Sequence, residues 1–315
     1  MPDIIFATPG NPVPENANAG FLTAPDGRRL RYAHFRATAR PLKGTVVILQ
    51  GRNECIEKYF ETVRDLGSRG FGAALIDLRG QGGSDRLTGD RERGHVGDIA
   101  DYAADLEPFF RHIVLPDCRG PYYLLAHSTG ALAALIAAPM LQSRIERMVF
   151  SAPLLGLPDG RLSARNAARL AGAMHAFGLG AAYVQGGPRE REAAPFEGNV
   201  LTSDRARYAR NAAIYRWYPE LALGGVTASW VRAVSCATAT VNAPGFAAAL
   251  KIPVLIVAAG AERVVDPLAA ERFGGTLRAG GVVTVDGARH ELLQEADLFR
   301  EQFLAAFDAF VPGSA

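Results

Sequence analysis

The sharpest chemical signal in the chain is a serine. Tyr122-Tyr-Leu-Leu-Ala-His-Ser-Thr-Gly-Ala-Leu-Ala-Ala-Leu135 reads as an apolar strand that turns through Ala126-His127-Ser128-Thr129-Gly130 into an apolar helix. A serine on so tight a strand–helix turn is lifted out of its sheet, and the turn requires small residues two positions to either side. Ala126 and Gly130 meet that need. The Thr129 amide opens the helix, where negative charge is favoured, and so is placed to meet a developing oxyanion. The predicted chemistry is nucleophilic attack by Ser128 on an acyl carbon.

A serine hydroxyl is a poor nucleophile until a base takes its proton. Of six histidines, His34 lies in an early hairpin, His112 in a helix and His175 in a central helical region. His127 adjoins the serine but points elsewhere on the turn. His95 precedes a helix and is the rival, with a structural role preferred for it. His290 follows the strand Val282–Asp286 across Gly287-Ala288-Arg289, which places it at the carboxyl edge of the sheet. It is the expected base. The acid that orients it should come from the loop after the preceding strand, in chain order Ser, acid, His. Asp266 is the expected acid. Glu262 is its nearest rival and otherwise reads as surface charge, while Asp77 and Asp286 sit too close to their strand ends to reach a shared histidine.

A second oxyanion donor is needed beside Thr129. Thr45–Gln50 is a continuous apolar run that ends in Gly51-Arg52-Asn53-Glu54. Gly51 permits a sharp turn, so the Arg52 amide is the expected donor. The Arg52 and Glu54 side chains are expected to pair.

Elements that would position these groups alternate along the chain. Gly20–Ala24 and Arg28–Phe35 form a hairpin about Pro25-Asp26-Gly27. Apolar strand runs then alternate with helical periodicity from Thr45 to Ser151 and again from Ile252 onward. That is the pattern of a doubly wound, mostly parallel sheet. Residues 152–250 lack a convincing buried strand and read as a helical cap over the carboxyl edge, where ligands bind in open sheets. The core is expected over 1–151 and 251–315, with an irregular arm over 1–19.

Composition excludes several classes. The formal net charge of +2 offers no basis for nucleic-acid binding. Cys55, Cys118 and Cys236 are scattered without metal-ligand spacing. The glycine-rich Asp77–Ser84 segment lacks the lysine of a phosphate-binding loop and reads as a structural turn. The N-terminus lacks a basic, then apolar, leader pattern, and no apolar run suffices to span a membrane. A cytoplasmic location is expected, with peripheral membrane contact through the cap.

Gln50-Gly-Arg-Asn-Glu-Cys-Ile-Glu-Lys-Tyr59, Ile76-Asp-Leu-Arg-Gly-Gln-Gly-Gly-Ser-Asp85, Ala126–Gly130, Val264-Val-Asp266 and Gly287-Ala-Arg-His-Glu291 together resemble bacterial lysophospholipases and monoacylglycerol lipases. These are grouped with the serine aminopeptidase-like α/β hydrolases. The resemblance spans about residues 20–310. Two positions depart from the family pattern: Gln50 stands for a usual histidine and Ala126 for a usual glycine. The resemblance implies an α/β-hydrolase fold and a cofactor-free, metal-free hydrolase of single-chain lipid esters. Ser128, Asp266 and His290 would form its triad, and Arg52 and Thr129 would supply the oxyanion donors.

Leu162, Leu170, Met174, Phe177 and Leu179 are candidates to line an acyl tunnel. Arg161, Arg165 and Arg169 fall on one helical face that could meet anionic lipid. Tyr208, Tyr215, Trp217, Tyr218 and Trp230 are candidates to border the pocket. A general short-chain esterase, a peptidase on the same fold and a catalytically silent binding protein are the competing functions.

Overall fold

The computed structural model describes residues 4–160, 162–187 and 195–311. In chain order the main elements are β1 (Ala17–Thr23), β2 (Arg29–Phe35), β3 (Gly44–Leu49), α1 (Phe60–Ser68), β4 (Phe71–Ile76), α2 (Ile99–Phe109), β5 (Tyr122–His127), α3 (Thr129–Leu141) and β6 (Ile145–Ser151). An insertion follows, with α4 (Ala164–Ala176), β7 (Tyr183–Gln185), α5 (Arg205–Trp217), β8 (Val226–Thr227) and α6 (Ala228–Val241). The chain then adds β9 (Val254–Ala259), α7 (Pro267–Gly274), β10 (Gly280–Val285) and α8 (Asp297–Phe310).

Eight strands form one sheet in the order β1-β2-β4-β3-β5-β6-β9-β10. The β1–β2 and β2–β4 pairs are antiparallel and the other five are parallel. Alternation of side chains along each strand sends Val47, Leu49, Leu124, Ala126 and Ile256 into a core on one face. Val46, Ile48, Tyr123, Leu125 and Val257 enter a second core on the other. Both faces of the central strands are covered by helices, which is why these strands read as unbroken apolar runs. Helix α3 is buried around most of its circumference, as its nearly all-apolar sequence requires.

The structure adds to the expected organisation at three places. The hairpin begins earlier than its turn residues suggested, because Ala17 already pairs with Phe35. The arm before it is docked by specific contacts: Phe6 stacks on Tyr218 at 4.3 Å, and Asn11 Nδ2 donates to the Glu57 carbonyl at 2.8 Å. The insertion also contains a strand pair, β7–β8, which is too short to leave an alternation signal.

The insertion is tied to the sheet-bearing body at several points. Arg207 and Arg210 of α5 both bond Glu61 of α1, and Arg207 also reaches Asp297 at the start of α8. The Gly94 backbone bridges to β8, with the Gly94 amide donating to the Gly225 carbonyl.

Candidate active site

Ser128 sits between β5 and α3 with φ 49° and ψ −115°. A non-glycine residue at positive φ is strained and persists only where its surroundings enforce it. Here the Ser128 amide donates to the Ser151 carbonyl at 3.1 Å, and its carbonyl accepts from the Leu154 amide at 3.1 Å. Gly130 explains the small-residue rule directly, since a Cβ there would stand 2.4 Å from the Leu49 carbonyl oxygen. Thr129 is the first residue of α3, where an amide has no partner within the helix.

His290 follows β10 and is buried, its ring 4.8 Å from that of His127 beside the serine. Its Nδ1 lies 2.7 Å from Glu262 Oε2. Opposite a carboxylate, Nδ1 carries the proton and donates it, which leaves Nε2 as the basic nitrogen. Burial alone would raise the Glu262 carboxyl pKa. The His290 hydrogen bond and charge, with the amides of Val264 and Val265, outweigh burial and hold it below the usual range.

The carboxylate on His290 is therefore Glu262, and the expectation of Asp266 is corrected. Asp266 is the N-cap of α7: Oδ1 accepts from the Leu268 amide at 3.0 Å, and Oδ2 takes a hydrogen bond from Arg272. The reason is local. Pro267 stands at the first helical position, so the residue before it is drawn into capping. Asp before Pro was the signal that could have separated the two acids. Glu262 lies nearer the end of β9, and its other oxygen accepts the amides of Arg263, Val264 and Val265, which fixes the loop.

The loop after β3 is held from several directions. Gln81 donates from Nε2 to the Gly51 carbonyl at 2.8 Å and accepts from the Asn53 amide at 3.3 Å. Glu54 Oε2 accepts the Gly51 amide at 2.5 Å and the Tyr59 hydroxyl at 2.6 Å. Asn53, at φ 57°, joins the loop to the insertion: its Oδ1 accepts the Leu223 amide and its carbonyl accepts the Tyr215 hydroxyl. Gly51 is required by close approach, because a Cβ would fall 2.8 Å from His127 Cδ2.

The expected Arg52–Glu54 pair is absent, and Glu54 pairs with Lys58 at 2.6 Å instead. Lys58 also reaches Glu291, next to His290, at 2.7 Å. Burial would raise the Glu54 pKa, but Lys58, His127 and the Tyr59 hydroxyl overcome this and bring it down to about 2. This buried chain is not evident from the sequence, because Glu291 lies on a loop remote in sequence from Glu54 and Lys58. Gln50 is buried as well and donates to Asp77 at 3.1 Å. Asp77 also accepts from Arg31 and the Ile56 and Gly83 amides, so the glycine-rich segment is a structural turn about a buried carboxylate.

His95 Nδ1 contacts the Thr227 hydroxyl at 3.1 Å, at the root of the insertion. The aromatic stretch divides. Tyr215 and Trp230 face the β3 loop, Tyr208 packs on Phe196, Tyr218 packs on Phe6, and Trp217 is exposed. Leu162, Leu170, Phe177 and Leu179 are exposed rather than lining an enclosed tunnel, while Met174 packs against the core. Arg165 and Arg169 are exposed on α4, and Arg161 lies outside the described residues.

The family model described as serine aminopeptidase, S33, matches residues 40–297. The chain belongs to the serine aminopeptidase S33 family. Within that setting it is 36% identical to lysophospholipase L2 of Escherichia coli K12 over 298 residues, covering 92% of this chain and 86% of that protein. It is 27% identical to a probable lysophospholipase L2 of Haemophilus influenzae, covering 92% and 91%. Among solved structures, the Saccharomyces cerevisiae monoglyceride lipase superposes with a TM-score of 0.75 at 18% identity, covering 99% of both chains. The monoacylglycerol lipase of Paleococcus ferrophilus gives 0.70 at 20% identity, covering 90% and 99%. At these identities the structural likeness establishes the α/β-hydrolase fold, as the S33 motifs implied.

Proposed function

We propose that this chain is a serine hydrolase that cleaves the acyl ester of single-chain lipids, lysophospholipids or monoacylglycerols, through an acyl-serine intermediate. The observation that carries the reading is the strained Ser128 elbow beside a buried histidine whose Nδ1 is bonded to Glu262. The kinship with lysophospholipase L2 supports the substrate class. Residues 1–151 and 251–315 serve as the catalytic core, and 152–250 as a cap that selects substrate.

Ser128 attacks the ester carbonyl while His290 Nε2 accepts its proton. Glu262 keeps the imidazole in the required tautomer and stabilises it when charged. The Arg52 and Thr129 amides hold the tetrahedral oxyanion. His290 then gives its proton to the leaving glycerol oxygen. Water, deprotonated by the same nitrogen, releases the fatty acid. No step calls for a metal or cofactor.

Leu162, Leu170, Phe177 and Leu179 are exposed on and beside α4, as are the basic residues Arg165 and Arg169. Apolar groups amid positive charge suit an anionic lipid surface, so the cap is proposed to rest peripherally on the membrane that holds the substrate.

The test is hydrolysis of lysophosphatidylcholine, monoacylglycerol, a short p-nitrophenyl ester and an aminoacyl-amide by wild type and Ser128→Ala. Long single-chain esters should be cleaved, and the variant should lose at least about a thousandfold in kcat with its thermal midpoint kept. Turnover of the short ester alone would make it a general esterase, and of the amide alone a peptidase. Retained turnover in Ser128→Ala would overturn the nucleophile.

A further inference from the structure

We propose that the Arg52 guanidinium binds the head-group phosphate of a lysophospholipid substrate, an inference that rests on the acyl-hydrolase reading above. The fully buried arginines have their charge or their donors answered. Arg31 pairs with Glu57 and Asp77, Arg79 with Asp105, and Arg300 with Asp65. Arg86 pairs with no described carboxylate, yet its donors are taken up by the carbonyls of Gly82, Ser84, Arg91 and Glu220. Arg52 differs from both groups. Its Nη2 donates to the Gly224 carbonyl, its Nε is enclosed without a partner, and no ion pair with a described carboxylate forms. Burial lowers its pKa to about 10, which reflects a cation lacking its counter-charge.

The surroundings suit an anion. The guanidinium carbon lies 5.7 Å from the centre of the Trp230 ring, and a Cβ at Gly94 would fall 2.7 Å from Nη2 and 3.0 Å from Nε, so the guanidinium fills the space a side chain there would take. A guanidinium in such a setting offers a planar pair of donors to phosphate and is weakly hydrated, so an anion can displace its water. Position supplies the second argument. Arg52 stands on the loop whose amide is proposed to hold the ester oxyanion. In a 1-acyl lysophospholipid, the path from ester carbonyl carbon to phosphorus is one bond longer than that from Arg52 Cα to its guanidinium carbon. One residue can thus hold the reacting carbonyl through its amide and the phosphate through its side chain. A monoacylglycerol offers nothing to the second group.

The experiment compares 1-octanoyl-glycerol 3-phosphate with 1-octanoyl-glycerol, below their micellar concentrations, for wild type, Arg52→Gln and Arg52→Lys. The readout is the ratio of the two kcat/KM values, which cancels any general disturbance of the oxyanion loop. Wild type should favour the phosphate ester, Arg52→Gln should lower the ratio at least about tenfold, and Arg52→Lys should fall between. An equal loss on both substrates would make Arg52 an anchor for the insertion and overturn the proposal. Because Arg52→Gln could fail to fold, calorimetric binding of the ether analogues 1-O-octylglycerol 3-phosphate and 1-O-octylglycerol to wild type provides a second arm. Tighter binding of the phosphate by at least about tenfold is expected, and equal affinity would overturn the idea. Failure of wild type to cleave either ester would instead refute the proposed function, and the binding arm would still decide the role of Arg52.

Discussion

Two carboxylates four residues apart carry different duties because their neighbours in the chain differ. Glu262 lies in an irregular loop whose amides converge on one of its oxygens, leaving the other for His290. Asp266 precedes a proline and is committed to α7. Glu262→Gln should therefore lower kcat by about a hundredfold or more, because the amide can stabilise the wrong tautomer. Asp266→Ala should leave kcat within a few-fold and cost about 1 kcal/mol of stability, as a lost N-cap does. Steady-state kinetics and urea denaturation on the same pair of proteins separate the two outcomes, and the reverse pattern would restore Asp266 as the acid. Ser128 was legible because an elbow imposes size limits on near neighbours in sequence. The partner of His290 was less so: a carboxylate reaches its target through loop geometry that spacing does not encode.

The loop after β3 and the loop after β10 come from elements far apart in the chain, yet one ammonium bridges them. Lys58 bonds Glu54, which pins Gly51, and Glu291, which adjoins His290. Replacing it with methionine keeps the volume but leaves two carboxylates buried without their counter-ion. The expected cost is about 3–5 kcal/mol, measured by denaturant unfolding. A Lys58→Met protein as stable as wild type would mean that these acids take up protons or reach solvent. The elements that carry such loops were largely readable. Buried parallel strands advertise themselves as apolar runs, and α3 as an apolar helix, whereas β7 and β8 are too short to show a period. The buried charge chain was opaque because Lys58 and Glu291 are each ordinary polar residues in sequence and acquire meaning only when the sheet brings them together.

Across the whole molecule, the insertion is fastened to the core by ion pairs centred on Glu61. Burial raises the pKa of this carboxyl, but Arg207 and Arg210 more than offset that and bring it down to about 2. A depressed carboxyl contributes stability above its ordinary pKa, and that contribution fades as pH falls toward the folded value. Wild type should be more stable than Glu61→Gln near pH 7, with the gap closing between pH 4.5 and about 2; urea midpoints across that range would show it, and a constant gap would refute it. The exposed face of α4 belongs to the same scale. Arg165→Gln with Arg169→Gln should weaken sedimentation with anionic vesicles several-fold, an effect that salt should mimic, and unchanged binding would remove membrane contact from the account. The attachments of Asn53 to Leu223 and Tyr215 have a further consequence. The insertion is a natural unit for local opening, since part of its apolar surface faces water. If it loosens, the loop after β3 loses two of its ties while the sheet stays folded. Warmed gently, the protein should fall silent before it melts: catalysis would be lost at a lower temperature than circular dichroism of the core, and would return on cooling.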